Sequence, residues 1–137
     1  MSEKASGGML RSPTGLRILV VDDEALIRWS LLETLTSCGH AVVEAGDAAT
    51  AVQAVTAAAV PFDVVLLDFR LPDSNDLALL SRLRRLAPTT RIILMTAYGT
   101  PEILQAALDL GAYRVISKPF DMNDLAPLVR QAHASRS

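Results

Sequence analysis

No stretch of the 137-residue chain is apolar for long enough to span a bilayer, and none has the apolar centre of a signal peptide. No membrane role is expected, and the cytoplasm is the expected compartment. A single cysteine, Cys38, excludes a disulfide within the chain. Basic charge is short as well: 13 Lys and Arg against 15 Asp and Glu leave a net charge of −2, and the basic residues are scattered rather than massed. Such a chain presents no positive field, so direct nucleic-acid binding by this domain is not expected. Repeats are missing too, and the one biased stretch is the alanine-rich 48–59. What is present is apolar bulk, 50% hydrophobic against 20% charged, sized for one domain with one core.

Residues 1–15, rich in Ser and Gly with Pro13 near their end, read as a flexible leader, and 135–137 as a tail or the start of a linker. Between them strands and helices alternate. Strands are expected at 17–21, 41–45, 64–67, 91–95 and 113–116. Helices are expected at 25–38, with Ile27, Leu31, Leu35 and Cys38 inward, and at 48–59, capped by Asp47. Three more follow at 75–86, with Leu79, Leu80 and Leu83 inward, at 101–110, capped by Thr100 and opened by Pro101, and at 121–133, with Leu125, Leu128 and Val129 inward. Five β-α units predict an α/β fold, a five-stranded parallel sheet with helices on both faces, because right-handed crossovers put them there.

The central run Val64-Val65-Leu66-Leu67 has no polar alternation, as expected of a strand covered on both faces, and it delivers Asp68 at its end. Ligands of open α/β sheets collect at the carboxyl ends of the strands. Three other strands end in the same manner: the first in Asp22-Asp23, the fourth in Thr96-Ala97, and the fifth in Ser117-Lys118-Pro119. Three carboxylates on one rim repel by roughly 3 kcal/mol per ionised pair at about 5 Å and an effective dielectric of about 20. They call for a cation, and an all-oxygen donor set without His or Cys favours Mg²⁺. Thr96 and Lys118 add a hydroxyl and an ammonium suited to phosphoryl oxygens, with Asp68 as the nucleophile of an acyl phosphate.

The segments Val20-Val21-Asp22-Asp23-Glu24, Leu67-Asp68-Phe69-Arg70-Leu71-Pro72, Met95-Thr96-Ala97-Tyr98 and Ser117-Lys118-Pro119-Phe120 resemble, in order and spacing, the signature segments of bacterial response-regulator receiver domains. The resemblance covers 16–134. It implies strand order 2-1-3-4-5 and Asp68 as phosphoacceptor from a sensor histidine kinase. It also implies Mg²⁺ held by Asp22, Asp23, Asp68 and the Arg70 backbone carbonyl, with Thr96 as switch hydroxyl and Lys118 as phosphate partner. A homodimer through the fourth helix, fifth strand and fifth helix is implied as well. The wording around Arg70 and Tyr98 is similar to receivers that precede ATPase-type transcription activators.

The chain departs from that pattern twice. Asp76 stands where many receivers have Gly, which suggests Ser74 or Asn75 as the cap of the third helix. Val115 stands where an aromatic is usual. Strand alternation would put Tyr113 and Val115 on one face, so Tyr98 or Tyr113 is the expected mover. Trp29 is expected on a helix surface and Glu24 at a helix start, while His40 and His133 carry no expected role. The alternative, an aspartyl-nucleophile phosphatase, usually has a second Asp two residues after the nucleophile as general acid, a position held here by Arg70, which does not give up its proton. A flavodoxin-like cofactor carrier would offer hydroxyls in its first loop instead of two carboxylates. A degenerate receiver would lack one of the phosphorylation groups.

Overall fold

The computed structural model describes residues 15–74 and 76–134, so the expected leader (apart from Gly15), the tail 135–137 and Asn75 lie outside the described residues. In chain order the elements are β1 (Arg17–Val21), α1 (Ala25–Ser37), β2 (Ala41–Ala45), α2 (Ala48–Ala57), β3 (Val64–Asp68), α3 (Ala78–Leu86), β4 (Arg91–Thr96), α4 (Pro101–Asp109), β5 (Arg114–Ser117) and α5 (Met122–Ala134). The strands form one parallel sheet in the order β2-β1-β3-β4-β5. That is the 2-1-3-4-5 order the signature segments imply. Among the described residues no helix is long and apolar enough to cross a membrane.

Alternation within the strands splits the core into two layers. Leu19, Val65, Leu67, Ile92 and Leu94 face α2, α3 and α4, where Ala51, Leu80, Leu83 and Ala107 meet them. Ile18, Val20, Val64, Leu66, Ile93 and Met95 face α1 and α5, packing on Leu31, Leu35, Leu125 and Val129. Both faces of β3 are thus covered, and its five residues are all buried. Burying a Leu, Ile or Val of this kind stabilises by about 1.5–3 kcal/mol, which is why a short run without polar residues settles at the centre of the sheet.

Local chemistry sets most helix boundaries. Asp47 accepts from the Thr50 N–H and Thr100 from the Ile103 N–H, as N-caps do. Gly111, at φ 103, closes the turn after α4 in a backbone region that favours glycine. Several expectations fail in detail. Cys38 is exposed, since the chain leaves α1 at Ser37 and turns at Gly39. The third helix starts at Ala78, and its nearby side-chain acceptor is Asp76, which takes the Ala78 N–H, whereas Ser74 spends its backbone on Leu71. Tyr113 and Val115 face opposite layers, Tyr113 with the α1/α5 side and Val115 with the α2–α4 side. The period-2 rule holds only inside the pleat, and β5 begins at Arg114, one residue after Tyr113.

Candidate functional site

Four strand ends meet on one rim. β1 ends at Val21, and Asp22 is drawn in by its own N–H bonding to the Ala45 carbonyl, so that it is fully buried at 0% exposure. Its Oδ1 accepts from the Glu24 N–H at 2.9 Å, leaving Oδ2 for Lys118 at 2.9 Å. Asp68, the last residue of β3, is 6% exposed, and Thr96, the last of β4, is 1% exposed. Ligand oxygens of Asp22, Asp23 and Asp68 all lie within 4.8 Å of one another, with Asp23 the exposed member. This all-oxygen set, two of its members buried, fits a hard divalent cation such as Mg²⁺.

Lys118 enters from the end of β5, where its N–H bonds to the Thr96 carbonyl. Its Nζ lies 2.9 Å from Asp22 Oδ2, 3.3 Å from Asp68 Oδ2 and 3.4 Å from Glu24 Oε1. Glu24 therefore reaches the lysine instead of capping α1, for which its side chain makes no bond. Burial alone would lower the Lys118 pKa, but its hydrogen bond to Asp22 and the charges of Asp68 and Asp22 hold it above the usual range. Asp68 moves the opposite way from a salt-bridged acid. Burial first, and the neighbouring Asp22 charge second, push it up to about 6, against the pull of Lys118 and a 3.4 Å bond from the Arg70 N–H.

The carboxylates open on a cleft of about 250 Å³ whose wall includes Asp23, Asp68, Arg70, Thr96, Tyr98 and Lys118. Thr96 Oγ1 accepts from the Tyr98 N–H at 2.9 Å, and the Arg70 guanidinium stacks 4.4 Å from the Tyr98 ring. A buried carboxylate, a lysine beside it, a hydroxyl and an acidic pocket suit the handling of a phosphoryl group. All the expected site residues are thus brought to one rim. His40 and His133 sit at the opposite rim, and Trp29 is 57% exposed on α1.

Two residues that the sequence did not single out touch the site loops. Arg28 Nη1 donates to the Asp22 carbonyl at 2.7 Å, and Asp73 accepts from the Ala48 and Ala49 N–H groups at 2.7 and 3.1 Å. An arginine on a half-polar helix and an Asp after a loop Pro read as solvent and turn residues, so only their partners reveal them.

Comparison with known proteins gives a consistent picture. The family model described as "Response regulator receiver domain" matches residues 18–130. The chain is 36% identical to the DNA-binding transcriptional regulator NtrC of Azospirillum brasilense over 115 residues, 84% of this chain but 24% of that protein. It is 33% identical to sporulation initiation phosphotransferase F of Bacillus subtilis over 115 residues, 84% of this chain and 91% of that one. Among solved structures, a CheY-like response regulator receiver domain protein from Methanospirillum hungatei superposes with a TM-score of 0.82 at 29% identity, covering 88% of this chain and 94% of that one. The chain therefore spans about a quarter of the first relative and nearly all of the second.

Proposed function

Because the chain belongs to the response regulator receiver domain family, we propose that it is a phosphorylation-dependent signalling switch that accepts a phosphoryl group on Asp68 from a sensor histidine kinase. The observation that carries this reading is the position of the Lys118 ammonium, 3.3 Å from the Asp68 carboxylate beside two further acids. In the transfer, a lone pair of the Asp68 carboxylate attacks phosphorus, an O–P bond forms, and the P–N bond to the donor histidine breaks. The electron pair leaves on the imidazole nitrogen, and the ring departs neutral because its other nitrogen already carries a proton. Attack by water on the acyl phosphate later returns the carboxylate and inorganic phosphate. No general acid is needed for so good a leaving group, so Arg70 two residues on is no obstacle, and the protein acts as phosphoacceptor rather than as a phosphatase.

Asp22, Asp23, Asp68 and the backbone carbonyl of Arg70 would hold Mg²⁺, which when bound supplies the charge that keeps the acids ionised and neutralises phosphoryl oxygens. Lys118 releases Asp22 and Glu24 in part to meet a phosphoryl oxygen, and the Thr96 hydroxyl, now an acceptor for Tyr98, becomes a donor to another. Moving Thr96 breaks its bond to the Tyr98 N–H, so the signal leaves through the 96–100 loop and α4. The domain spans 16–134. Its place is the cytoplasm, and a homodimer through α4, β5 and α5 has exposed Leu104, Leu108 and Leu110 to use. Intact mass after incubation with Mg²⁺ and a small acyl phosphate tests the assignment. Wild type should gain one phosphoryl group and Asp68→Asn none; equal labelling of the two would sink it.

A further inference from the structure

Every group placed in the site comes from β1, β3, β4, β5 or the loops that follow them, and none from β2 or α2. Yet both acid-bearing loops are fastened to the β2–α2 junction. From the β1 side, Arg28 donates through Nη1 to the Asp22 carbonyl at 2.7 Å and through Nε to Glu44 Oε1 at 3.2 Å, near the end of β2. From the β3 side, Asp73 accepts the Ala48 and Ala49 N–H groups at 2.7 and 3.1 Å. Asp47 takes the next two, Thr50 by its side chain at 2.7 Å and Ala51 by its carbonyl at 3.1 Å. The three N–H groups in the first turn of α2 that lack a helical partner are thus all used, two of them by a residue of the loop that follows Asp68.

That loop is hydrogen-bonded to itself at the same point. Leu71 and Ser74 exchange both backbone hydrogen bonds, at 2.7 and 3.2 Å, with Pro72 and Asp73 at the tip of the turn and Leu71 buried. Arg70 immediately precedes this turn, and its N–H is the one that reaches Asp68 Oδ1. We propose that Asp73 and Arg28 are positioning residues for the acidic cluster. Asp73 holds the Arg70 peptide against Asp68, and Arg28 holds the peptide between Asp22 and Asp23, each using the end of β2 or the first turn of α2 as an anchor. Neither touches the reacting atoms. Their role follows from the demand of a small hard cation for near-ideal octahedral oxygen geometry, which loops held only at their ends do not supply. The inference rests on the metal reading given above.

The test uses Mg²⁺ alone on the full chain, by calorimetry, with acyl phosphate labelling rates as a second readout. Asp73→Ala should weaken Mg²⁺ on the order of tenfold, the size seen when residues that orient metal ligands are lost. Thr90→Val, which removes a buried hydrogen bond at the far rim, serves as a destabilised control and should keep wild-type affinity. Arg28→Ala separates position from charge. Removing a cation near three carboxylates would tighten Mg²⁺ by field alone, whereas loss of positioning weakens it. Wild-type affinity in Asp73→Ala, equal weakening in Thr90→Val, or tighter binding in Arg28→Ala overturns the proposal. A wild type that binds no Mg²⁺ overturns the reading of the site itself and this inference with it.

Discussion

The two rims of the sheet are made from the same kinds of polar residue and treat charge in opposite ways. At the amino-terminal rim each group completes a backbone bond: His40 Nδ1 accepts from the Leu16 N–H at 3.0 Å, Asp63 Oδ2 from the Arg17 N–H at 2.8 Å, and the Thr90 hydroxyl donates to the Phe62 carbonyl at 2.6 Å. These bonds tie neighbouring loops together through the backbone, although His40 Nε2 is buried without a hydrogen-bond partner among the described residues. At the carboxyl-terminal rim Asp22, Asp68 and Glu24 share one lysine beside Asp23, and Asp68 is pushed up to about 6. Among the described residues, three carboxylates crowd together at the carboxyl-terminal rim, and a divalent cation is what would offset their charge.

The largest effect comes from removing the nucleophile. Asp68→Asn should abolish phosphorylation and yet stabilise the metal-free protein. The native carboxyl titrates near 6 and the unfolded one near about 3.9. Stability from this group is therefore fully present below about pH 4 and is lost as pH rises through about 6, a loss of roughly 2–3 kcal/mol by linkage. Urea unfolding at pH 4 and 7 should show the stability difference between variant and wild type growing by that amount as pH rises; the same pH dependence in both would break the contrast between the rims. Next is the metal. Asp23→Ala should weaken Mg²⁺ by about a hundredfold, more than the loss of a merely orienting residue. Wild-type affinity should rise with pH through about 6, because Asp68 must give up its proton to bind. A flat affinity profile in calorimetry would count against Asp68 as a ligand.

Changes at the opposite rim should touch stability alone. His40→Ala removes the acceptor for the Leu16 N–H, a loss of about 1–3 kcal/mol, and should leave Mg²⁺ affinity and labelling as in wild type. Burial, then the Arg130 charge, hold the His40 pKa below its ordinary value against the opposing pull of Asp63. The native ring is thus neutral, and its stability is present above about pH 6.5 and lost as pH falls through the lowered value. The metal-free protein should therefore show opposite pH slopes from its two rims, and His40→Ala should remove the acid-side one. The smallest effect concerns the readout. Coupling between phosphorylation and self-association, typically about 1–3 kcal/mol, should survive in Val115→Ala and fail in Thr96→Ala, with both variants checked for Asp68 labelling. Equal loss in the two would place Val115 in the switch.

Much of the fold could be read from the chain because the relevant signals are local. Asp47, Thr100, Pro101 and Gly111 act within a turn of themselves, and each does in the structure what its type predicts. Where a signal depends on a partner far along the chain, reading failed. His40 had no visible role because its partner, Leu16, is 24 residues away; Asp73 drew no reading because the N–H groups it accepts lie 25 and 24 residues back, and Arg28 none because its carbonyl partner leaves no mark in the sequence. Glu24 does stand at the start of α1, as expected, but its carboxylate makes no cap bond there and goes to a lysine 94 positions later.

By itself the sequence determined the order of the elements, the double-sided burial of β3 and the polar residue at each strand end, since apolar period and turn chemistry are written in neighbouring residues. Only the tertiary structure decided which charges meet and at what distance. It brought Lys118 to within 3.3 Å of Asp68, raised the carboxyl of Asp68 by burying it beside Asp22, and turned Tyr113 and Val115 to opposite layers. The reason is physical: secondary structure depends on periodicity along the chain, whereas solvation and Coulomb energies depend on separations that exist only once the five strand ends share a rim.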